Sequence, residues 1–528
     1  MILSPSQEIA KTKISKFLKS SDKMFILEGS AGTGKSTIIT YILNQEEYQN
    51  KLVSFSATTN KAVSVLKKYS VNSKNYFYCT IHKLLNIKRQ INNVGNELFV
   101  TGVELVENNS KTLSIYNYDI IVIDESSMIS KDLLKKIVKI IDKIKGKIIF
   151  LGDPAQLPPV NETKCIIFHT NDIPKFRLTE IMRYTGTIVG LCNSIREIVF
   201  DPNFKIKFSD FKSDNIKMFK DFDKSIKKYL KFFDGGFRPI YLVYTNKKCD
   251  LINSIVRSEI FNGTKKRFEE GEIILFDNYY CSATKENYYT SQSMIVKKIS
   301  EDTIYLNNLD INSIFNIIKF IGCSLCFNKV YRKNVCGCNL CNECINKWIN
   351  KKLICPNCLV KCGDNKIIEI KDDEKLSHNI NELIKLLDSK KFKIYKLKLD
   401  NSDIVDTIHE DSLEEYEYFL GNIREKLKDI NNYIDIHYKG TNKGTNKGTI
   451  FDNIMTQLWQ TIYEEYIDVF ADISYGYSIT THKSQGSNYK VVFVDLENII
   501  NFNQNKEESY RCLYTAVTRT SKYLNILI

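Results

Sequence analysis

Proline is scarce, 8 among 528 residues, while Lys, Asn and Ile are abundant. A/T-rich codon usage produces that composition by itself, and it takes weight from the excess of Lys and Arg (75) over Asp and Glu (62), a net charge of +13. A polyanionic partner fits the charge without being demanded by it. No uninterrupted apolar run approaches the ~18 residues of a membrane helix, so a membrane-spanning chain is not expected. The opening MILSPSQEIAKTK lacks the apolar stretch of a signal peptide, so secretion is not expected either. Apolar and aromatic residues are plentiful, at 43% and 12%, which excludes wholesale disorder. A chain this long makes roughly three or four domains.

Short apolar runs alternate with helical patterns from the start. MFILEG (24–29), LVSFSA (52–57), DIIVID (119–124) and KIIFLGD (147–153) read as buried strands, each leading into a polar turn. This alternation predicts a parallel sheet covered on both faces. A second set, RPIYLVYT (238–245), YGYSITTH (475–482), VVFVDL (491–496) and LNILI (524–528), reads the same way but is split by a long insertion. The insertion combines apolar alternation (271–306), a cysteine cluster, a charged helical region near 378–430 and the repeat KGTNKGTNKGT (439–449), which reads as a flexible linker. The Lys-rich stretch 131–147 has the Leu/Ile spacing of a helix with a solvated outer face.

The strongest local signal is GSAGTGKST (29–37). Gly29, Gly32 and Gly34 let backbone N–H groups curl around phosphate oxygens. Lys35 brings a charge to the outer phosphates, and Ser36 offers a hydroxyl to Mg²⁺. The motif follows a strand and opens a helix, as this chemistry requires. IVIDESS (121–127) ends a strand in two carboxylates, Asp124 to hold Mg²⁺ and Glu125 to polarise an attacking water. Together they predict a nucleoside-triphosphate hydrolase.

Further segments define its kind. GDPAQLPPV (152–160) carries Gln156, LTEIMRY (178–184) carries Arg183, and YTAVTRTSKYL (514–524) carries Arg519. YGYSITTHKSQGSNY (475–489), SATTNKAVSVL (56–66) and TIHKLL (80–85) supply polar loops. In order and spacing these segments resemble the superfamily 1 helicases of the RecD/Dda/Pif-like branch, over roughly 1–300 and 465–528. The resemblance implies an α/β fold of two RecA-like parallel-sheet domains, with ATP between them and movement 5′→3′ on single-stranded and forked DNA. It implies domains at 1–165 (with a small hairpin insertion about 86–115), 166–265 and 466–528, around an accessory, barrel-like insertion at 266–465. It implies ATP contacts from Gln7, Gly29, Gly32, Thr33, Gly34, Lys35, Ser36, Thr37, Asp124, Gln485 and Gly486. Gln7 would read adenine, while Gln156, Gln485 and Gly486 couple the γ-phosphate to closure. Arg183 and Arg519 are the implied arginine fingers. Thr58, Asn60, Lys61, Thr80, His82, Thr481, His482 and Lys483 are implied to line the strand path through phosphate contacts. QINNVGNELFV (90–100) carries a turn signal where this branch has a duplex-splitting hairpin; a wedge and an ordinary surface hairpin both stand open. An RNA-directed helicase of the same superfamily is the alternative substrate reading. The implied location is intracellular, in nucleus, cytoplasm or a viral replication compartment.

Fifteen Cys divide into two groups. Six are scattered (Cys79, Cys165, Cys192, Cys249, Cys281, Cys512) and read as buried thiols. The others cluster: Cys323 and Cys326, Cys336 and Cys338, Cys341 and Cys344, Cys355 and Cys358 form closely spaced pairs, with Cys362 left over. Each pair suits tetrahedral thiolate chelation, and eight ligands suffice for two Zn²⁺. The spacing resembles a RING finger at 320–362. That family's interleaving implies one Zn²⁺ on Cys323, Cys326, Cys341 and Cys344 and the other on Cys336, Cys338, Cys355 and Cys358. A structural or protein-docking role is the expectation for this module, with a ubiquitin ligase that docks a ubiquitin-conjugating enzyme as the alternative.

Overall fold

The computed structural model describes residues 3–69, 73–101, 115–182, 186–201, 203–306, 332–333, 339–340, 368–369, 374–388, 390–438, 447–501 and 505–528. Its first sheet is wholly parallel, in the order Tyr76–Thr80, Val53–Ala57, Ile120–Asp124, Lys147–Gly152, Met24–Gly29, Lys175–Leu178. The four expected strands fall within one or two residues of the sequence reading. Their unbroken apolar runs are explained by burial on both faces: Phe25, Leu27, Val122 and Ile149 pack into one core and Ile26, Ile121, Ile123 and Ile148 into the other. The sheet continues to Leu178, past the boundary expected at residue 165, because Lys175–Leu178 pairs with Met24–Gly29. Helix Lys131–Ile140 buries Leu133, Leu134 and Ile137 and turns its lysines outward.

The second parallel sheet runs Ser478–Thr480, Ile240–Val243, Tyr489–Asp495, Thr520–Leu527, Ile216–Phe219. Its helices Thr187–Phe200 and Lys506–Val517 share a core with the central strands.

Between Ile240–Val243 and Ser478–Thr480 lies an antiparallel sheet ordered Ile404–Ile408, Lys390–Leu399, Ser293–Leu306, Ile273–Phe276, Ile473–Tyr475. Just before its edge strand Ile473–Tyr475, Ala471 N–H donates to the Asp406 carbonyl of the opposite edge strand at 2.7 Å. Strand Lys390–Leu399 serves two cores. Phe392 and Ile394 face the helical layer, while Tyr395, Leu397 and Leu399 pack into the core on the other side of the sheet. That helical layer contains Glu374–Leu387, Glu410–Tyr438 and Lys447–Ile462. The last helix starts inside the Gly-Thr-Asn-Lys repeat, so the expected linker is shorter than 439–449 at its C-terminal end.

The eight cysteines proposed as zinc ligands lie outside the described residues. Within that region the short strand Arg332–Lys333 pairs antiparallel with Asn339–Leu340 and with Ile368–Glu369. Of the scattered thiols, Cys165, Cys192 and Cys512 are buried, Cys79 and Cys249 half-buried, and Cys281 exposed, contrary to its expected burial. Among the described residues no helix is long and apolar enough to cross a membrane.

Candidate nucleotide site and strand path

The glycine loop joins Met24–Gly29 to helix Lys35–Leu43. Gly32 and Gly34 take φ of 84° and 78°, the left-handed region that costs other residues ~1–2 kcal/mol. A side chain at Gly29 would come 2.5 Å from Thr33 Oγ1, so the loop closes on itself only with glycine there. Lys35 Nζ donates to the carbonyls of Gly29 (2.7 Å) and Ser30 (3.1 Å), which puts its charge inside the curl of the loop. The Ser36 hydroxyl donates to Asp124 Oδ2 at 2.7 Å, bringing together the two Mg²⁺-binding candidates from separate segments. Hard oxygen donors of this kind suit Mg²⁺. Thr37 lies in the first turn of the same helix.

Glu125 follows at φ 51°, a left-handed conformation in a residue with a long side chain. Such strain persists where the surrounding structure imposes it; here the Glu125 N–H donates to Asp124 Oδ1 at 2.8 Å. Gln7 reaches the same loop from helix Pro5–Lys19. Its Nε2 donates to the Thr33 carbonyl (3.1 Å) and its Oε1 accepts from Ser4 N–H (3.0 Å), completing a capping box. Met182 N–H donates to the Gly32 carbonyl at 2.7 Å, so the segment just before Arg183 touches the loop. Arg183 lies outside the described residues.

The second lobe faces this edge with backbone-directed polar groups. Gln485 Nε2 donates to the Leu157 carbonyl at 3.1 Å. Gly486 (φ 72°) packs so closely that a Cβ there would lie 3.2 Å from that of Ala62. Gln156 is buried, with no partner for Oε1 among the described residues. Arg519 is 2% exposed, and its guanidinium donates to the carbonyls of Thr515 (3.1 Å) and Ser487 (3.3 Å), both in its own lobe. Arg511, by contrast, crosses to the first lobe, where it donates to the carbonyls of Pro154 and, at 3.4 Å, Gln156. Sequence reading missed Arg511, along with Asp153, Arg196 and Tyr514 around it. Each of the two arginines is the single arginine of its helix, Arg196 in Thr187–Phe200 and Arg511 in Lys506–Val517, buried among apolar neighbours.

The strand-path candidates divide. Lys61 Nζ donates to the Ser291 carbonyl and to the Tyr489 hydroxyl, both at 3.3 Å, and Lys483 Nζ pairs with Asp277 at 2.5 Å. Segment 277–291 of the accessory insertion thus touches a cation from each lobe. Asn60 opens helix Asn60–Tyr69, and the Thr58 hydroxyl lies 3.4 Å from Met128 Sδ. The Thr80 hydroxyl caps helix Ile81–Leu84. Burial pushes both His82 and His482 below the usual imidazole range. The His482 ring packs edge-on against Tyr244. Thr481 does not reach the path: it is fully buried and its hydroxyl donates to the Val243 carbonyl, because it completes the edge of the second sheet.

The expected hairpin is present, Ile87–Ile91 against Glu97–Thr101. Asn92 Oδ1 accepts from Val94 and Asn96 N–H, and Gly95 turns at φ 84°. The hairpin docks on the accessory helices. A side chain at Gly95 would come 2.7 Å from the Trp459 ring, Arg89 pairs with Asp468 at 2.7 Å, and Ile91 is buried in the helical core. Val94 and Leu98 remain exposed.

Two family profiles match the chain: an AAA domain over residues 3–194 and a UvrD-like helicase C-terminal domain over 475–527. An uncharacterized protein of Acanthamoeba polyphaga mimivirus is 29% identical over 99% of both chains. The ATP-dependent DNA helicase dda of Enterobacteria phage T4 is 27% identical, over 52% of this chain and 60% of its own. The RecBCD enzyme subunit RecD of Buchnera aphidicola (Schizaphis graminum) is 26% identical, over 97% of this chain and 72% of its own. Among solved structures, the Pif1 helicase of Candida albicans aligns over all of this chain and 95% of its own, at 15% identity and a TM-score of 0.43. The profile matches fall on the two parallel-sheet lobes whose facing edges carry these residues, and with the sequence relatives they make the chain similar to superfamily 1 helicases of the RecD/Dda/Pif branch.

Proposed function

We propose that the chain is an ATP-dependent DNA helicase that moves 5′→3′ on single strands and opens duplex DNA. The observation that carries this reading is the convergence of Lys35, Ser36 and Asp124 at one sheet edge, opposite a second lobe that grips the Pro154–Leu157 loop. Bound there, Mg-ATP supplies the phosphoanhydride whose cleavage drives movement. Lys35 neutralises phosphate charge, Ser36 and Asp124 hold the metal, and Glu125 orients and deprotonates water. Lys61 and Lys483 sit on opposite lobes, so each contacts a different part of a threaded backbone; exchange of their present partners for phosphates is the binding event. The hairpin, braced by Trp459 and Asp468, presents Val94 and Leu98 to the fork. Strand displacement on forks carrying only a 5′ or only a 3′ tail tests the reading. Opening of the 5′-tailed fork alone is expected, and opening of the 3′-tailed fork alone, or of RNA duplexes in preference, contradicts it.

The cysteine module is proposed to bind two Zn²⁺ on the pairing given above. Its support is ligand spacing, with the short hairpin Arg332–Lys333/Asn339–Leu340 bracketing Cys336 and Cys338. Metal analysis of the purified chain is expected to return two zinc ions; none would remove the proposal.

A further inference from the structure

The loop that follows strand Lys147–Gly152 leaves the first sheet, yet Ala155 and Leu157 are buried in the second lobe's core beside Leu191, Cys512 and Ala516. Asp153 opens this loop and is itself almost wholly buried. Its carboxylate accepts from the Arg196 guanidinium and, at 2.7 Å, from the Tyr514 hydroxyl, both second-lobe groups. Within the loop it also accepts from Ala155 N–H at 3.1 Å. Burial pushes the Asp153 carboxyl up, but Arg196, Lys35 and Tyr514 outweigh that and hold it below the usual carboxylate range. Arg196 is 2% exposed and lies against the rings of Phe200 and Tyr514 at 5.4 and 5.8 Å. Among the described residues its Nε and Nη2 have no hydrogen-bond partner.

Net stability does not explain such a pair, since desolvating two charges roughly cancels their attraction. Geometry does. The carboxylate joins a first-lobe loop to two second-lobe helices, and Gln156 is bonded to it through the backbone, N–H to the Asp153 carbonyl at 3.2 Å.

We propose that Arg196 and Tyr514 are positioning residues that set the aim of Gln156 through Asp153, so that displacement of the second lobe by a bound strand is felt at the γ-phosphate position. The proposal rests on the ATP-driven reading above and adds the route by which strand binding reaches the pocket. Arg196→Lys keeps the charge but loses the planar fork, and Tyr514→Phe removes one hydroxyl at constant volume.

ATP hydrolysis with and without single-stranded DNA, together with melting, tests it. Each variant is expected to lose about tenfold of the stimulation by DNA, the scale of one charge-assisted hydrogen bond. DNA-free turnover and the KM for ATP should stay within about twofold of wild type. The double variant should be no worse than the poorer single one, because the two act on one carboxylate. Unchanged stimulation in folded Tyr514→Phe overturns the proposal, as does an equal fall of DNA-free turnover. Should Arg196→Lys fail to fold, Tyr514→Phe decides alone. A wild-type chain without any ATP hydrolysis is a separate result that defeats the functional reading itself.

Discussion

The two edges that face each other across the cleft are built in opposite ways. On the first lobe, the groups that would meet a triphosphate come from nine consecutive residues, 29–37, plus the adjacent pair Asp124 and Glu125. They are held by backbone conformations that glycine alone adopts without cost, and by the Ser36–Asp124 bond. On the second lobe, Arg196, Gln485, Arg511 and Tyr514 come from three distant segments and act on the first lobe through buried contacts with Asp153, Pro154, Gln156 and Leu157. One edge is written in local sequence, the other in tertiary packing. A local site fails when its backbone is altered, whereas a distributed one fails when a long-range contact is cut.

The sharpest break in this comparison comes from Gly34→Val. A β-branched residue at φ 78°, with its Cβ 2.7 Å from Gln7 Nε2, combines left-handed strain with a forced shift of Gln7. The KM for ATP measured by steady-state turnover is expected to rise at least about tenfold, as ~1–3 kcal/mol of strain implies. Arg511→Ala cuts the distributed edge instead. Its kcat for ATP is expected to fall about tenfold with little change in KM, because the lost bonds steer the Gln156 loop rather than hold nucleotide. If Arg511→Ala raised KM and spared kcat, the division between a binding edge and a steering edge would be wrong.

This division also explains what could be read in advance. Central strands were legible because burial on both faces demands unbroken apolar runs such as Ile120–Val122–Ile123. The edge strands Lys175–Leu178 and Ile216–Phe219 escaped notice because each has four residues and a half-exposed face. The glycine loop and its carboxylates were legible because phosphate chemistry fixes their spacing. Arg511 and Arg196 were not, since nothing in a single segment separates a buried arginine from the rest of the 75 basic residues. Thr481 was assigned to the strand path by its neighbours, but sheet-edge hydrogen bonding claims it. The hairpin's turn was readable from Asn-Asn-Val-Gly-Asn, whereas its brace was not: Gly95 and Tyr463 are 368 residues apart in sequence. The repeat at 439–449 looked too polar for order, yet helix Lys447–Ile462 begins within it.

In the proposed function, cleavage at the Lys35 pocket is governed from the other lobe. The most direct measurement is ATP turnover by the full chain with and without single-stranded DNA, beside Lys35→Ala. Strong stimulation by the strand in wild type, and loss of both basal and stimulated turnover in Lys35→Ala, is the predicted result. Turnover indifferent to the strand, or surviving Lys35→Ala, would contradict it.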